Sequence, residues 1–338
     1  MSTQQSAWLR DLPKVEIHLH LEGTISPETL VVLSKRNDPI PLTLEQARSL
    51  YVYPDFRAFL QSFTAVSSRL QTPDDFALIT REMIRSLASQ GCVHAEVYIS
   101  WGNLMHYKPH LPITTIMDAV ERVRTRAEIE FGTSVTWIID VVRHHGPEMA
   151  QTVVDLAVKL KERYPSVIGI GIGGDEVLGP ANSFRELYAQ AKAAGLRLVA
   201  HAGEASGPES IWASLEIGAE RIGHGLTAQQ DAELLKVLAE KQTPMEICVT
   251  SNLQTGCCVG LNAHPVRRYI EAGLMVTINS DDPTMFGSDL LQEYELVQKW
   301  YGLSLEQMRE LAANSVEASF LPPERKQRLL EVVEQYGL

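Results

Sequence analysis

The sequence predicts a (β/α)8 barrel, in which eight parallel strands form a closed ring inside a layer of helices. Eight short hydrophobic runs recur along the chain, and several are apolar throughout, as strands buried on both faces are. Segments with helical spacing of apolar residues lie between them. Gly195 and Gly273 each separate such a segment from the next run, where a helix end favours a left-handed residue. A doubly wound sheet is the alternative fold for this alternation.

The predicted strands cover residues 15–20, 93–100, 134–143, 166–173, 196–202, 220–224, 244–249 and 274–280. Helices are predicted between them over residues 113–131, 147–164, 183–194, 208–217, 228–241 and 265–272. Closing helices are predicted over residues 304–313 and 322–336. Because no linker, repeat or low-complexity tract interrupts the pattern, residues 1–338 are expected to form one domain.

The longest interval between strands, residues 26–90, should contain additional helices. Within it Phe56, Phe59, Leu60 and Phe63 recur at i, i+3, i+4 and i+7, which gives one apolar stripe on a helix. A helix of this kind usually packs on the barrel. A lid over a binding pocket is the second interpretation, because the segment follows a strand whose end carries two histidines.

Composition narrows the classes of protein to consider. The chain of 338 residues is 45% hydrophobic and 21% charged, as folded globular proteins are. Its formal net charge of −12 argues against nucleic acid or an anionic membrane as a partner. The four cysteines lack Cys-x-x-Cys spacing, which indicates buried thiols in a reducing compartment. The first 14 residues contain no continuous apolar stretch, so we expect neither signal peptide nor membrane anchor, and a cytoplasmic location.

Polar groups suited to a metal follow the predicted strands at their carboxyl ends, where barrel enzymes place their chemistry. His18 and His20 are two residues apart on the first strand and therefore face the same way. His201 ends the fifth strand, and Asp281 follows the eighth, which neighbours the first in a closed ring. A single buried histidine is more often structural than a ligand. Three histidines and a carboxylate together predict a zinc site with a position left for water.

Two further strand ends carry groups that can transfer protons. Glu204 follows His201 by three residues, and His224 ends the sixth strand between two glycines. Glu204 could merely favour the entry of the following helix, and His224 could merely bond to a turn. Beside a metal-activated water, the pair supplies an acid and a base.

The chain resembles the adenosine deaminase family of the amidohydrolase superfamily over nearly its whole length. The resemblance rests on five motifs in the family's order: His18-Leu19-His20, His201-Ala202-Gly203-Glu204, Arg221-Ile222-Gly223-His224-Gly225, Ser251-Asn252 and Ser280-Asp281-Asp282-Pro283. It implies one catalytic zinc ion per chain, held by His18, His20, His201 and Asp281. The end of the fourth strand offers glycines in place of the lysine that bridges two metals in binuclear relatives.

The resemblance also implies roles around a purine. Glu204 would protonate ring nitrogen N1, and His224 would orient and deprotonate the zinc-bound water. Asp282 would accept a hydrogen bond from the other purine edge, and the backbone N–H of Gly174 would hold N3. Ammonia would leave a 6-oxopurine. Glu204 must then stay protonated, which predicts a raised pKa in a dry pocket.

The sugar side of the substrate is left open. Glu22, the expected substrate contact there, stands where vertebrate-type adenosine deaminases have an aspartate, and Gly171 replaces another aspartate of those enzymes. Leu-Glu-Gly after the paired histidines resembles adenine deaminases and bacterial deaminases of 5′-modified adenosines such as 6-aminodeoxyfutalosine. Residues 251–255 resemble nucleoside deaminases more, so a small-molecule purine nucleoside is the expected partner. Arg57 or the Arg143-His144-His145 cluster could bind the benzoate of aminodeoxyfutalosine, although either could be a plain surface or loop charge.

Three alternatives remain at this point. An adenine deaminase would act on the free base. A zinc hydrolase of esters or amides would keep the metal site without needing Glu204 or Asp282. An inactive purine-binding relative would keep the fold and lose the metal. No surface stripe in the sequence indicates an oligomeric interface.

Overall fold

Eight parallel strands form the barrel that the sequence predicts, and their order around the ring is their order in the chain. A computed structural model describes residues 3–337. The strands are β1 (Lys14–His20), β2 (Cys92–Ile99), β3 (Ser134–Val142), β4 (Val167–Gly173), β5 (Arg197–Ala202), β6 (Arg221–His224), β7 (Met245–Ile247) and β8 (Val276–Ile278).

The ring closes through Asp281, three residues after the end of β8, and not through β8 itself. The N–H of Asp281 donates to the carbonyl of His18 at 3.0 Å, and the N–H of His20 donates to the carbonyl of Asp281 at 2.8 Å. The last two strands are three residues long, shorter than predicted. After β7 the chain enters a helix at Val249, and this ends the strand pairing early.

Helices surround the ring and fill the long interval after β1. They are α1 (Thr3–Asp11), α2 (Pro27–Asn37), α3 (Leu44–Ser49), α4 (Phe56–Ser67), α5 (Pro73–Ser89), α6 (Trp101–Tyr107), α7 (Ile113–Phe131), α8 (Gly146–Arg163), α9 (Arg185–Ala193), α10 (Pro208–Glu216), α11 (Ala232–Lys241), α12 (Val249–Gln254), α13 (Val266–Glu271), α14 (Pro283–Phe286), α15 (Leu290–Tyr301), α16 (Leu305–Ala318) and α17 (Pro323–Gln335). The additional helices between the first two strands and at the C-terminus are therefore confirmed. None of the helices within residues 3–337 combines the length and hydrophobicity needed to cross a bilayer.

The predicted helix stops at Gly195 and Gly273 are confirmed. Both residues have left-handed backbone, with φ of 77° and 74°. The next N–H in each case folds back onto the helix, from Leu196 to the carbonyl of Ala191 at 3.0 Å and from Leu274 to that of Tyr269 at 3.1 Å. A residue with a Cβ would be strained at either position.

The centre of the barrel holds a buried ion network below the predicted metal residues. Nε of Arg221 on β6 lies 2.6 Å from Oε1 of Glu246 on β7 in an ion pair, and the guanidinium also donates to Glu96 on β2. The guanidinium lies over the ring of Phe320, 3.9 Å from its centroid. Because each charge has an opposite partner and the network is nearly inaccessible to water, it holds these strands in one arrangement.

Candidate active site

The predicted site residues converge at the carboxyl ends of the strands, around a cavity. The walls of the cavity include His20, Gly174, His201, Glu204, His224, Asp281 and Asp282. His18 lies beneath them, completely buried. Glu22 is also buried, on the short helical turn that follows β1.

Five potential metal ligands lie close together. Donor atoms of His18, His201, His224 and Asp281 all lie within 4.8 Å of one another. The Nε2 atom of His20 is 3.2 Å from Nε2 of His201 and 3.4 Å from Oδ1 of Asp281, and Nε2 of His18 is also 3.4 Å from that oxygen. Donors around one tetrahedral zinc ion lie about 3.3–3.5 Å apart. The short separations therefore join His18, His20, His201 and Asp281, whereas His224 approaches Asp281 only to 4.0 Å.

Neighbouring groups orient three of these donors. Nδ1 of His18 is 2.7 Å from Glu246, Nδ1 of His201 is 3.1 Å from a backbone carbonyl of β4, and the hydroxyl of Ser251 donates to Asp281 at 2.7 Å. These contacts turn the opposite atoms towards the cluster, as outer partners of metal ligands do. Nε2 of His18 is buried without a hydrogen-bond partner, so the cluster has a polar atom that a metal ion would satisfy.

The charge balance of the cluster also suits a cation. Burial lowers the pKa of His20 to about 4 and that of His201 well below its usual range, so both rings are neutral and able to bind a metal. Burial also opposes charge on His18, but the neighbouring carboxylates of Asp281 and Glu246 raise its pKa to about 10. Without a metal, the two carboxylates therefore favour a proton on His18, at the place where a metal cation would bind.

His224 and Asp281 have strained backbones. Their φ angles are 62° and 65°, in the left-handed region that residues with a Cβ seldom occupy. Such strain persists where the surrounding structure imposes it, and it is typical of functional sites.

Glu204 has the environment that a proton donor needs. Burial raises its pKa well above the usual range, and the negative charges of Asp281 and Glu176 raise it further. Glu176 also accepts the N–H groups of Gly203 at 3.0 Å, Glu204 at 2.8 Å and Ala205 at 3.0 Å. This carboxylate therefore holds the loop that carries Glu204. Sequence reasoning gave Glu176 no role, although its position just after β4 is a signal of the kind that identified the other residues.

The two ring nitrogens of His224 face different groups of the site. Its Nε2 is 3.7 Å from Glu204, and its Nδ1 is 3.0 Å from the side-chain amide of Asn252 on α12. Burial lowers its pKa to about 3, so the ring is neutral.

Three buried carboxyl groups lie in the cavity wall or next to it. Glu22 accepts the N–H of Ser100 at 3.0 Å, while its second oxygen has no partner. Oδ1 of Asp282 and of Asp140 are likewise unpartnered. Burial raises the pKa of Glu22 to about 7 and those of both aspartates well above their usual range, and for the two aspartates nearby carboxylates add to the effect.

Asp140 was missed from the sequence because it lies inside β3, two residues before the end of the observed strand. It pairs in register with Gly171 on β4. A Cβ at Gly171 would lie 2.6 Å from the ring of Tyr98 and 3.3 Å from Oδ1 of Asp140. The space that a side chain at 171 would need is therefore taken by the tyrosine ring, and a carboxyl group stands on the neighbouring strand instead.

Gly174 is conformationally required at its position. Its φ is 90°, and a Cβ there would lie 2.6 Å from Nδ1 of His144. Glycine therefore lets the backbone after β4 line the cavity wall.

The aromatic stripe on α4 covers the cavity. Phe56, Phe59, Leu60 and Phe63 all line it, and the ring of Phe59 is 4.9 Å from that of Phe286 on α14. The helix thus packs against the barrel through the same apolar face that closes the site.

The two candidate cations have different surroundings. Arg143 is buried and donates to the backbone carbonyls of Ile172 at 3.4 Å and His201 at 2.5 Å, so it anchors strand ends. Arg57 is exposed and lines an outer pocket with His144 and Tyr107. This outer pocket shares His144 and two residues of α4 with the main cavity.

A cluster of imidazoles and a carboxylate at the carboxyl ends of a parallel barrel, with a buried glutamate of raised pKa beside it, is the arrangement of a hydrolase of the metal-dependent barrel class. Comparison with known proteins places it more closely. The chain belongs to the adenosine deaminase family, whose model matches residues 13–336.

Two similar proteins are named as deaminases and differ in substrate. The chain is 38% identical to aminodeoxyfutalosine deaminase of Streptomyces avermitilis, covering 98% of this chain and 92% of that protein. It is 33% identical to the structure of an adenine deaminase from Arthrobacter aurescens, with a TM-score of 0.90 and coverage of 96% and 98%. An amidohydrolase from Burkholderia ambifaria, solved with bound Zn, is 25% identical, with a TM-score of 0.90 and coverage of 99% and 93%. The protein is therefore a deaminase, a hydrolase of C–N bonds.

Proposed function

We propose that the protein is a zinc-dependent deaminase of a 6-aminopurine nucleoside with an extended 5′ group, of the 6-aminodeoxyfutalosine type. The products are the 6-oxopurine nucleoside and ammonia. The observation that carries this proposal is the outer pocket beside the cavity, which shares His144 and two residues of α4 with it and would give room beyond a purine. The similarity to the Streptomyces aminodeoxyfutalosine deaminase supports the same substrate.

One zinc ion would be held by His18, His20, His201 and Asp281, whose close donor separations and orphaned His18 nitrogen support this assignment. When bound, zinc supplies a water acidic enough to serve as a nucleophile near neutral pH. The Zn in the Burkholderia relative supports the choice of metal.

The protein side chains complete the reaction around the purine. Water adds to the carbon that bears the amino group, and Glu204 donates its proton to N1, which avoids an anionic ring as aromaticity is lost. The proton that the water loses restores Glu204, the added hydroxyl group passes its remaining proton to the amino group, and the C–N bond breaks, which releases ammonia and leaves the 6-oxopurine. His224 orients the attacking water, the buried carboxyl group of Asp282, whose pKa is raised, donates a hydrogen bond to ring nitrogen N7 on the opposite purine edge, and the N–H of Gly174 holds N3.

The 5′ side of the substrate would extend past Glu22 and Asp140 towards the outer pocket. Arg57 and His144 there offer a cation and an imidazole to a carboxylate-bearing ring. The buried carboxyl groups suit sugar hydroxyls, since a protonated carboxyl both donates and accepts.

Deamination of free adenine is a second candidate, supported by the similarity to the Arthrobacter enzyme. A panel of adenine, adenosine, 5′-methylthioadenosine, AMP and aminodeoxyfutalosine separates the candidates through kcat/KM. We expect the highest value for aminodeoxyfutalosine and a selective loss on it for Arg57→Gln. A dominant rate on adenine would refute the nucleoside assignment.

The proton donor is tested by Glu204→Gln. We expect kcat to fall at least 100-fold, the lower range for removing a general acid. Glu209→Gln is the matched control, because it makes the same change at an exposed position five residues away. Unchanged turnover in Glu204→Gln would exclude the assigned role.

A further inference from the structure

A chain of hydrogen bonds leads from the backbone behind the site to His224. The N–H of Val266 donates to Nδ1 of His264 at 3.3 Å, Nε2 of His264 is 3.1 Å from Oδ1 of Asn252, and Nδ2 of Asn252 is 3.0 Å from Nδ1 of His224. Neither Asn252 nor His264 lines the cavity. Both are buried, so no bulk water competes for these bonds.

The first hydrogen bond in this series can run in only one direction. A backbone N–H always donates, so Nδ1 of His264 must accept and the proton of its neutral ring must be on Nε2. That proton requires an oxygen of Asn252, which places the amide nitrogen against His224. If the amide of Asn252 were reversed, its N–H group would face the ring N–H of His264, and no hydrogen bond could form between them. The orientation of Asn252 is therefore set by its neighbours.

The same logic fixes His224. Because the amide of Asn252 donates to Nδ1, a neutral His224 carries its proton on Nε2, the atom that faces Glu204 and Asp281 across the site. We propose that Asn252 and His264 are positioning residues that hold His224 as a hydrogen-bond donor towards the cavity. His224 then orients the attacking water by donation and does not remove its proton. The catalytic part of this inference rests on the proposed function; the tautomer does not.

The tautomer can be measured directly. Long-range ¹H–¹⁵N spectra of the ¹⁵N-histidine-labelled protein, metal-free and zinc-loaded, distinguish protonated from unprotonated ring nitrogens. His224 is assigned through the signals lost in His224→Gln. We expect unprotonated Nδ1 and protonated Nε2 in both samples. A protonated Nδ1 would overturn the proposal, whatever the substrate turns out to be.

Variants test the consequence for turnover. His264→Leu removes the donor to Asn252, and we expect kcat to fall roughly 10- to 100-fold, as when an orienting partner of a metal-site residue is lost, with KM changed less than about twofold. His264→Gln keeps a donor near Nε2 and should restore most of kcat. Asn252→Asp replaces the amide donor by an acceptor and should move the proton of His224 to Nδ1. His94→Leu is the control, because His94 is equally buried but lies at the start of β2.

The outcomes separate the two proposals. Full kcat in a folded His264→Leu variant, or no rescue by glutamine, would refute the positioning role. If no purine in the panel is turned over, the proposed function fails, while the tautomer spectrum still decides this inference. If His264→Leu does not fold, the spectra of the wild-type protein and Asn252→Asp decide it.

Discussion

Replacement of Glu176 by glutamine tests whether one carboxylate keeps the proton donor in place. Oε1 of Glu176 accepts two backbone N–H groups and Oε2 accepts a third, all from residues 203–205. The isosteric amide of glutamine can keep the first two hydrogen bonds. Its own N–H group would face the N–H of Gly203, so the third hydrogen bond would be lost. A hydrogen bond to a charged group is worth about 1.5–3 kcal/mol, so we expect the free energy of unfolding to fall by about 2 kcal/mol.

The effect on catalysis should exceed the effect on stability. A displacement of about 1 Å at a reacting group can lower a rate about 100-fold, so kcat should fall at least tenfold in Glu176→Gln. Urea unfolding and kcat on the best substrate of the panel measure the two effects. Asp231→Asn is the control, because Asp231 likewise accepts two backbone N–H groups, at the start of α11 and away from the cavity. A loss of stability with wild-type kcat in Glu176→Gln would show that the carboxylate is only structural.

Two further predictions concern buried acids. Asp140→Asn should lower kcat/KM for the nucleoside about tenfold, which corresponds to one lost hydrogen bond of about 1.4 kcal/mol. Any activity on adenine should stay unchanged. An equal loss on both substrates would show that Asp140 does not contact the sugar side of the substrate. Burial above all raises the pKa of Glu16 to about 7. The protonated side chain therefore stabilises the fold fully below its usual pKa of 4.5, and this contribution is lost as the pH rises through 7. Urea unfolding from pH 5 to 8 should therefore show the metal-free protein losing stability relative to Glu16→Gln, and a constant difference between the two would contradict this.

The sequence was informative where a feature is local. Strands, helix stops and strand-end ligands depend on residues close in the chain, and Gly195, Gly273 and the histidine pair of β1 were all recognisable. The N-terminal helix α1 was not predicted, because its polar sequence gives a weak pattern and it packs through tertiary contacts such as Trp8 against Tyr336, 5.1 Å between ring centroids.

Residues that act through distant partners could not be recognised from one sequence. Glu246 touches His18 across 228 positions, and Glu176 reaches the loop of Glu204 across 28. The direction of Arg143, inward to backbone carbonyls, depends on where β4 and β5 end in space. Such roles arise from the closure of the barrel, which no local pattern encodes.

The closure at Asp281 has a consequence for how this protein matures. The backbone of that residue joins the last part of the ring to β1, and its carboxylate faces the two histidines of β1. The cation-binding cluster therefore cannot exist until residues more than 260 positions apart in the sequence have met. Metal uptake would then come last in assembly, and a chain interrupted before residue 281 would hold most of its strands and no complete site.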